Sequence, residues 1–177
     1  LTTLSISAEG RNIWWLNRSA RFQDAPRDVV FITSQGASCP LFGMRAAGGP
    51  EEPIFWDYHV VLLDRCQDEP LIWDLDSIHG APLDARLWFS RTIPDWNRLP
   101  QAHRPLFRLV SGPDFERGFS SDRSHMHDLE GNFYKPPPPW DPPCQDAVGM
   151  VLDHYRSAQE GGPGELITAA KFLRRIS

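Results

Sequence analysis

The sequence is poor in cysteine and lacks both long apolar runs and an excess of positive charge. Its three cysteines, Cys39, Cys66 and Cys144, are odd in number and widely spaced, which argues against a disulfide framework or a zinc ribbon and favours a reducing compartment. No stretch approaches the roughly 20 apolar residues that cross a membrane, and no basic and then apolar leader is visible. We therefore expect a soluble protein of the cytoplasm or the nucleus, without a membrane partner.

The charge balance is acidic, with 18 basic and 23 acidic residues and a net charge of −5. Because the acidic residues are scattered, we expect no nucleic-acid partner. The 177 residues, of which 41% are hydrophobic and 23% charged, have a globular composition and suffice to bury one core. We predict a monomer with a single domain over residues 1–177. The sequence starts at Leu1 rather than at methionine, so we expect further residues upstream.

Apolar periodicity and turn residues predict an α/β domain of the α+β type, with a mostly antiparallel sheet flanked by helices. The first helix is predicted over Ala8–Phe22, with Ser5 or Ser7 as its N-cap. Short runs rich in β-branched and aromatic residues predict strands at Val29–Ser34, Ile54–Leu63, Leu71–Asp76 and Leu106–Val110. Further helices are predicted over Pro113–Phe119 and, after a glycine-rich linker, over Glu165–Arg175.

The segment Pro136–Pro143 contains six prolines and must be largely polyproline II. It could bind a proline-reading module of another protein, or it could pack as an extended strap against its own domain. Burial of Trp140, and of Phe133 and Tyr134 just before the segment, would stabilise the strap. We favour the strap.

Two of the predicted strands flank the polar run 64–69 and suggest a hairpin. Folding about the midpoint between Cys66 and Gln67 pairs residues whose numbers sum to 133, so that His59 faces Asp74. This register sends an apolar set to the opposite face, namely Trp56, Tyr58, Val60, Leu62, Leu71, Trp73 and Leu75. A histidine paired with a carboxylate either stabilises the structure or performs acid–base chemistry, and from the residues alone the structural role is slightly favoured.

The same register sets Asp57 opposite Asp76. Two carboxylates so close repel each other unless a cation, a donor or a proton lies between them. Either an arginine such as Arg123 neutralises them or they hold a positively charged ligand, and we favour the arginine.

Five strings of residues carry a resemblance to a known family. They are IFWDYHVVLL (Ile54–Leu63), IWDLDS (Ile72–Ser77), FSSDRSHM (Phe119–Met126), Gly131-Asn132 and the proline block from Pro136. Together they resemble the protein N-terminal glutamine amidohydrolase family, and weaker similarity extends over nearly the whole chain. The resemblance implies conversion of an N-terminal glutamine of a protein or peptide to glutamate with release of ammonia, a step in the pathway that reads N-terminal residues as degradation signals.

The resemblance also implies a Cys-His-Asp triad, without a cofactor, on a scaffold similar to transglutaminases and papain-like proteases. By motif, the histidine is His59 and the aspartate is Asp74, the pair that the hairpin already brings together. In the family the cysteine stands at the N-terminal end of the first helix, where unpaired N–H groups stabilise a thiolate and an oxyanion. Anchoring on Asn12-Ile13-Trp14 places Ser7 at this nucleophile position.

A serine lacks the low pKa that sustains a resting ion pair with imidazolium, so Ser7 is expected to be a weak nucleophile. Three interpretations stay open: an engineered Cys-to-Ser change that traps substrate, a natural homologue with lost or altered activity, or attack by another residue. As a simple N-cap, Ser7 fits the first two. The three cysteines offer no replacement, because we place Cys39 in the loop before Leu41, Cys66 at the hairpin tip and Cys144 behind the proline block.

The substrate's α-amino group needs an anionic partner, for which Asp57 or Asp76 is predicted. An inactive relative that binds N-terminal residues is the main alternative function, and a protease or acyl transferase built on the same triad is the next. His125 and His127 could ligate a metal with Asp122. We favour instead a hydrogen-bonded wall of the site formed by Asp122, Arg123 and Ser124, and we expect no metal.

Overall fold

The computed structural model describes residues 13–36, 38–121, 128, 130–133, 143 and 151–177. Its main element is a six-stranded sheet in the order β6-β5-β4-β1-β7-β8, in which every neighbouring pair is antiparallel. A second sheet pairs β2 with β3. Helices cover both faces of the main sheet, so the predicted α+β class with a mostly antiparallel sheet is confirmed.

The strands of the main sheet are short, and the two at its edges are among the shortest. Within the described residues, the strands of both sheets are β1 Arg27–Thr33, β2 Cys39–Leu41, β3 Ile54–Trp56, β4 His59–Asp64, β5 Leu71–Trp73, β6 Leu83–Asp84, β7 Leu106–Ser111 and β8 Glu165–Thr168. The helices are α1 (residues 13–17), α2 Ala85–Thr92, α3 Gly112–Gly118, α4 Leu152–Arg156 and α5 Ala169–Arg175, with 3-10 turns at Ala20–Phe22, Trp96–Arg98 and Gln101–His103.

The alternation of side chains along β1 and β4 divides the core into two layers. Val60 and Leu62 point to one face, where α1, α3 and α4 contribute Ile13, Trp14, Phe115, Leu152 and Tyr155. Val61 and Leu63 point to the other face, where β2, β3, α2 and α5 contribute Leu41, Trp56, Trp88, Phe89 and Phe172. Both faces of the central strands are therefore buried, which explains why their middle residues, 29–32 in β1 and 60–63 in β4, are all apolar.

Two predicted elements differ from the structure. The predicted strand Ile54–Leu63 is broken at Asp57 and Tyr58, so that its first part forms β3 in the small sheet and its second part forms β4 in the main sheet. The predicted helix Glu165–Arg175 begins as the edge strand β8, and only Ala169–Arg175 is helical. Thr168 ends the strand and caps the helix by accepting a hydrogen bond from the N–H of Lys171 over 3.4 Å.

The other predicted strands and the short helix after β7 are present within a few residues of their expected bounds. Of the predicted first helix, residues 13–17 are helical and Ala20–Phe22 forms a 3-10 turn. In the described part of the chain, no helix is long and apolar enough to span a bilayer. Several predictions fall outside the described residues, namely those on Ser5, Ser7, Asp122, Arg123, Ser124, His125, His127, Cys144 and most of Pro136–Pro143.

Candidate active site

A buried histidine and a buried aspartate meet at the end of the main sheet. His59 is the first residue of β4, and Asp74 is the first residue after β5. Nε2 of His59 lies 3.0 Å from Oδ1 of Asp74, and each residue is 1% exposed. The predicted contact between these side chains is therefore present, whereas their catalytic role stays a prediction.

The strand register that led to this contact is wrong by two residues. Leu62 pairs with Trp73 and Leu63 with Ile72, so paired numbers sum to 135 instead of 133. Because side chains alternate with a period of two, a shift of two preserves the face of every residue, and His59 and Asp74 remain on the same side as diagonal neighbours. The pairing ends at Trp73, and Asp74 turns back toward His59.

Both carboxylate oxygens of Asp74 are held by donors. Oδ1 accepts from His59 and from the backbone N–H of Asp76 at 3.1 Å, and Oδ2 accepts from Nε1 of Trp88 at 2.9 Å. Burial raises the pKa of the Asp74 carboxyl, but the charge of a protonated His59 and these hydrogen bonds together outweigh it and hold the pKa below its ordinary value. Asp74 is thus an anion that can only accept, so the Nε2 of His59 must be the protonated nitrogen.

The indole of Trp56 packs on the His59 ring. The two ring centroids lie 5.4 Å apart, with the planes tilted by 37°. Trp56 belongs to β3 and to the core layer on the His59 side of the sheet, so its predicted place beside Tyr58, Val60 and Leu62 on the opposite face is wrong. The break after Trp56 reverses the expected alternation. Of the other six members of that set, Tyr58, Val60, Leu62, Trp73 and Leu75 share the opposite layer, whereas Leu71 is not part of it.

Asp57 is exposed and already paired with a cation. Its Oδ2 lies 3.1 Å from Nη1 of Arg156 in α4, and the same guanidinium packs over the ring of Tyr58 at 5.7 Å. The predicted opposition of Asp57 and Asp76 across a strand pair is wrong, because both residues lie outside the β4–β5 ladder. The arginine beside Asp57 is Arg156, whereas Arg123 lies outside the described residues.

Asp76 is half-buried and is fixed by its backbone. Its N–H donates to Asp74, and its carbonyl accepts from the N–H of Arg45 at 2.7 Å. Its carboxylate makes no hydrogen bond or ion pair with the residues that the structure describes. Among the described residues, no cation pairs with the carboxylate of Asp76, which lies two residues along the chain from Asp74.

The two described cysteines do not form a second nucleophile. Cys39 lies in β2 and is 1% exposed, so its predicted loop position is wrong, and burial raises the pKa of its thiol to about 12. Cys66 lies in the β4–β5 turn, away from His59 as predicted, and is exposed. Among the described residues, no group of three or more His, Cys, Asp or Glu side chains could hold a metal ion.

Trp88, which contacts Asp74, was not predicted as part of the site, because helix α2 was not predicted. One signal was present: Asp84 stands directly before the apolar segment and caps it, accepting from the N–H of Leu87 at 2.8 Å. A tryptophan on the buried face of such a helix requires an acceptor for its N–H group. Asp74 is that acceptor, which ties α2 to the site.

The described part of α1 packs on the opposite face of the sheet from His59, through Ile13 and Trp14. The predicted approach of the helix N-terminus to the histidine depends on residues 1–12, which lie outside the described part, and stays a prediction.

The arrangement as described supplies an oriented imidazole in a dry environment. The ionised Asp74 fixes its tautomer, and the Nδ1 atom is then the ring nitrogen that can exchange a proton with a substrate or nucleophile. Such a group serves acyl-transfer and amide-hydrolysis chemistry without a metal or cofactor.

Most of this sequence aligns with known proteins. Residues 10–176 match the family described as N-terminal glutamine amidase. Proteins named protein N-terminal glutamine amidohydrolase are 34% identical over 131 residues in Arabidopsis thaliana, 34% over 152 residues in Danio rerio and 28% over 176 residues in Drosophila melanogaster. These alignments cover 72%, 84% and 93% of this chain and 59%, 74% and 83% of the three relatives. By the extent of the family match and the identity to these relatives, the chain belongs to the N-terminal glutamine amidase family.

Proposed function

We propose that this protein hydrolyses the side-chain amide of an N-terminal glutamine, which leaves a glutamate at the chain terminus and releases ammonia. Family membership supports the reaction, and one structural observation supports the machinery: the buried hydrogen bond of 3.0 Å between His59 and the doubly anchored carboxylate of Asp74. The proposed setting is the pathway in which N-terminal residues signal degradation, in the cytoplasm or nucleus.

The proposed reaction proceeds through an acyl-enzyme. The nucleophile loses its proton to Nδ1 of His59 and adds to the carboxamide carbon, and the C–N bond then breaks as the imidazolium returns the proton to the departing nitrogen. Water next adds to the acyl carbon while His59 takes one of its protons. Collapse of this second intermediate breaks the bond to the nucleophile, which recovers its proton from His59. Asp74 keeps the imidazole oriented and stabilises its charged form throughout.

The residue proposed at the nucleophile position is Ser7. A hydroxyl at a position that suits a thiolate lacks the ready ionisation of sulfur, so we expect the chain with Ser7 to react far more slowly than one with cysteine there. The same substitution favours the second candidate function, a protein that binds N-terminal glutamine and does not hydrolyse it.

For the α-amino group of the substrate we propose Asp76 over Asp57. An ammonium group that approached Asp57 would compete with Arg156, whereas the carboxylate of Asp76 has no such competitor among the described residues. The backbone of Asp76 is also anchored to Asp74, which fixes the distance between the amino group and the reacting amide.

The direct test compares the chain that carries Ser7 with its Ser7→Cys variant on a peptide that begins with glutamine. Ammonia release and the mass gain of deamidation are followed together, and we expect turnover chiefly in the cysteine form. An N-acetylated peptide of the same sequence is the control and should neither bind nor react.

The alternatives give different results in the same assay. Binding by both forms without ammonia release would identify the binding protein and overturn the hydrolase. Cleavage of an internal peptide bond would identify a protease.

A further inference from the structure

Trp56, whose ring packs on the His59 ring, carries a buried polar atom that has no partner among the described residues. The residue is 4% exposed, and its Nε1–H makes no hydrogen bond with any residue that the structure describes. A buried donor left without an acceptor costs free energy, and native proteins keep few such groups. The indole N–H group therefore needs a hydrogen-bond acceptor that is not among the described residues.

Two other tryptophans show the usual arrangement, in which the indole N–H group donates a hydrogen bond. Trp88 donates to Oδ2 of Asp74 at 2.9 Å, and Trp73 donates to Oδ2 of Asp64 at 3.4 Å. Both indoles satisfy their N–H groups with a carboxylate, as buried tryptophans generally satisfy theirs with some acceptor. Of these three, only Trp56 lacks a partner, and Trp56 is the one that packs on the histidine.

Strand pairing and core packing hold the Trp56 indole in place before any substrate binds. Trp56 pairs with Cys39 across the small sheet, and its ring belongs to the core layer that also contains Trp88. A donor that is fixed in this way pays little reorganisation cost when charge develops near it.

The proposed reaction creates an acceptor beside His59. When the nucleophile adds to the carboxamide carbon, the π electron pair of the C=O bond moves onto the oxygen, which becomes an oxyanion. The same carbon must lie close to the imidazole, because His59 protonates the departing nitrogen. The oxygen thus gains its negative charge within the neighbourhood that Trp56 and His59 share.

We propose that Trp56 is a catalytic residue whose Nε1–H donates a hydrogen bond to the carboxamide oxygen of the N-terminal glutamine and stabilises the oxyanion. This inference rests on the proposed function. It assigns a second task to the WDYH string, in which Trp56 stabilises charge on oxygen and His59 transfers protons.

The test removes the N–H donor of residue 56 and keeps an aromatic ring there, in the Ser7→Cys background. Trp56→Phe should lower kcat by roughly 100- to 1000-fold, the usual effect of losing one oxyanion donor, with KM little changed. Replacing the indole of residue 56 with benzothiophene, where sulfur takes the place of N–H, keeps the shape of the side chain and should give the same loss. Trp96→Phe, a partly buried tryptophan packed on the same core layer, is the matched control and should retain full activity.

A role limited to holding the imidazole in place predicts another result. Loss of packing against His59 would displace the pH profile of kcat, whereas loss of a donor to substrate lowers kcat at every pH and leaves the profile in place. Thermal unfolding followed by circular dichroism confirms that each variant is folded.

Two failures are distinguishable. Ammonia release by the Ser7→Cys form with kcat unchanged in the benzothiophene variant, or changed only through a displaced pH profile, would overturn the role of Trp56 alone. Lack of ammonia release by both the Ser7 form and the Ser7→Cys form would overturn the proposed function and this inference with it.

Discussion

Asp74 holds His59 through one carboxylate oxygen and Trp88 through the other, at 3.0 and 2.9 Å. With both oxygens engaged, the carboxylate cannot rotate, and the plane of the imidazole is fixed relative to helix α2. The orientation of the histidine therefore depends on a helix that begins eleven residues after the aspartate. Contacts made by core side chains of α2 thus help to set the orientation of His59.

Replacing the carboxylate by an amide should disable the histidine. In the Ser7→Cys background we expect Asp74→Asn to lower kcat by roughly 100- to 10,000-fold, because the amide can present N–H to Nε2 and select the wrong tautomer. Steady-state ammonia release measures the loss. A variant that retains more than a tenth of the parent rate would contradict the role assigned to Asp74.

The same substitution should change how stability depends on acid. Since the folded-state pKa of Asp74 is lowered, its ionisation contributes stability that is complete above its unfolded pKa of about 4 and is lost as the pH falls from there toward the folded pKa. Urea unfolding across this acidic range should show a smaller fall of the unfolding free energy in Asp74→Asn than in the parent. Equal slopes for the two proteins would refute the lowered pKa.

Removing the second donor to Asp74 isolates the contribution of α2. Trp88→Phe deletes the hydrogen bond to Oδ2, and we expect the unfolding free energy to fall by about 1.5–3 kcal/mol, the range for a hydrogen bond to a charged group. We also expect a lower kcat, because the carboxylate of Asp74 can then rotate. Trp73→Phe deletes a longer indole–carboxylate bond to Asp64 and should lower stability without lowering kcat. Equal effects of the two variants on kcat would contradict the role of Trp88 in orienting the Asp74 carboxylate.

The amino-group partner can be tested with a pair of isosteric changes. Asp76→Asn should raise KM for a glutamine-initiated peptide by about tenfold or more, since a charge-assisted hydrogen bond to the ammonium is lost. Asp57→Asn removes an exposed ion pair with Arg156, which is worth about 0–1 kcal/mol, and should leave KM nearly unchanged. The opposite ranking of the two KM values would transfer the role to Asp57.

The cysteines should differ sharply in reactivity. Cys66 is exposed, whereas Cys39 is enclosed in the core and has a thiol pKa of about 12. In the folded protein we expect iodoacetamide to alkylate Cys66 and to spare Cys39 until denaturant is added, with labelled peptides identified by mass spectrometry. Rapid labelling of Cys39 under native conditions would reopen it as a nucleophile.

Most of the central sheet was predictable because its strands are buried on both faces and therefore consist almost wholly of apolar residues. The contact between His59 and Asp74 survived an error in register, since a shift of two residues leaves each side chain on its face. A shift of one would have separated them. The face of a residue is thus easier to predict than its direct partner.

What failed depended on contacts that are distant along the chain. Glu165–Thr168 is read as the start of a helix by periodicity, but pairing with β7 at the sheet edge makes it a strand. Trp56 lies on the His59 side because the strand is interrupted between β3 and β4, and β3 pairs with β2 instead, whose residues lie 13 to 17 positions earlier in the chain. Neither pairing leaves a local pattern in the sequence.

The way the main sheet ends limits how a peptide can bind to it. One edge is a strand of two residues, Leu83–Asp84, that continues directly into α2, and the other is a strand of four residues, Glu165–Thr168, that continues directly into α5. Recognition by strand addition requires a longer open margin with free backbone groups. We therefore expect the proposed polypeptide substrate to be bound through its first residue rather than paired along its length with a sheet edge of the described structure, a mode that suits recognition of chain ends with diverse sequences behind them.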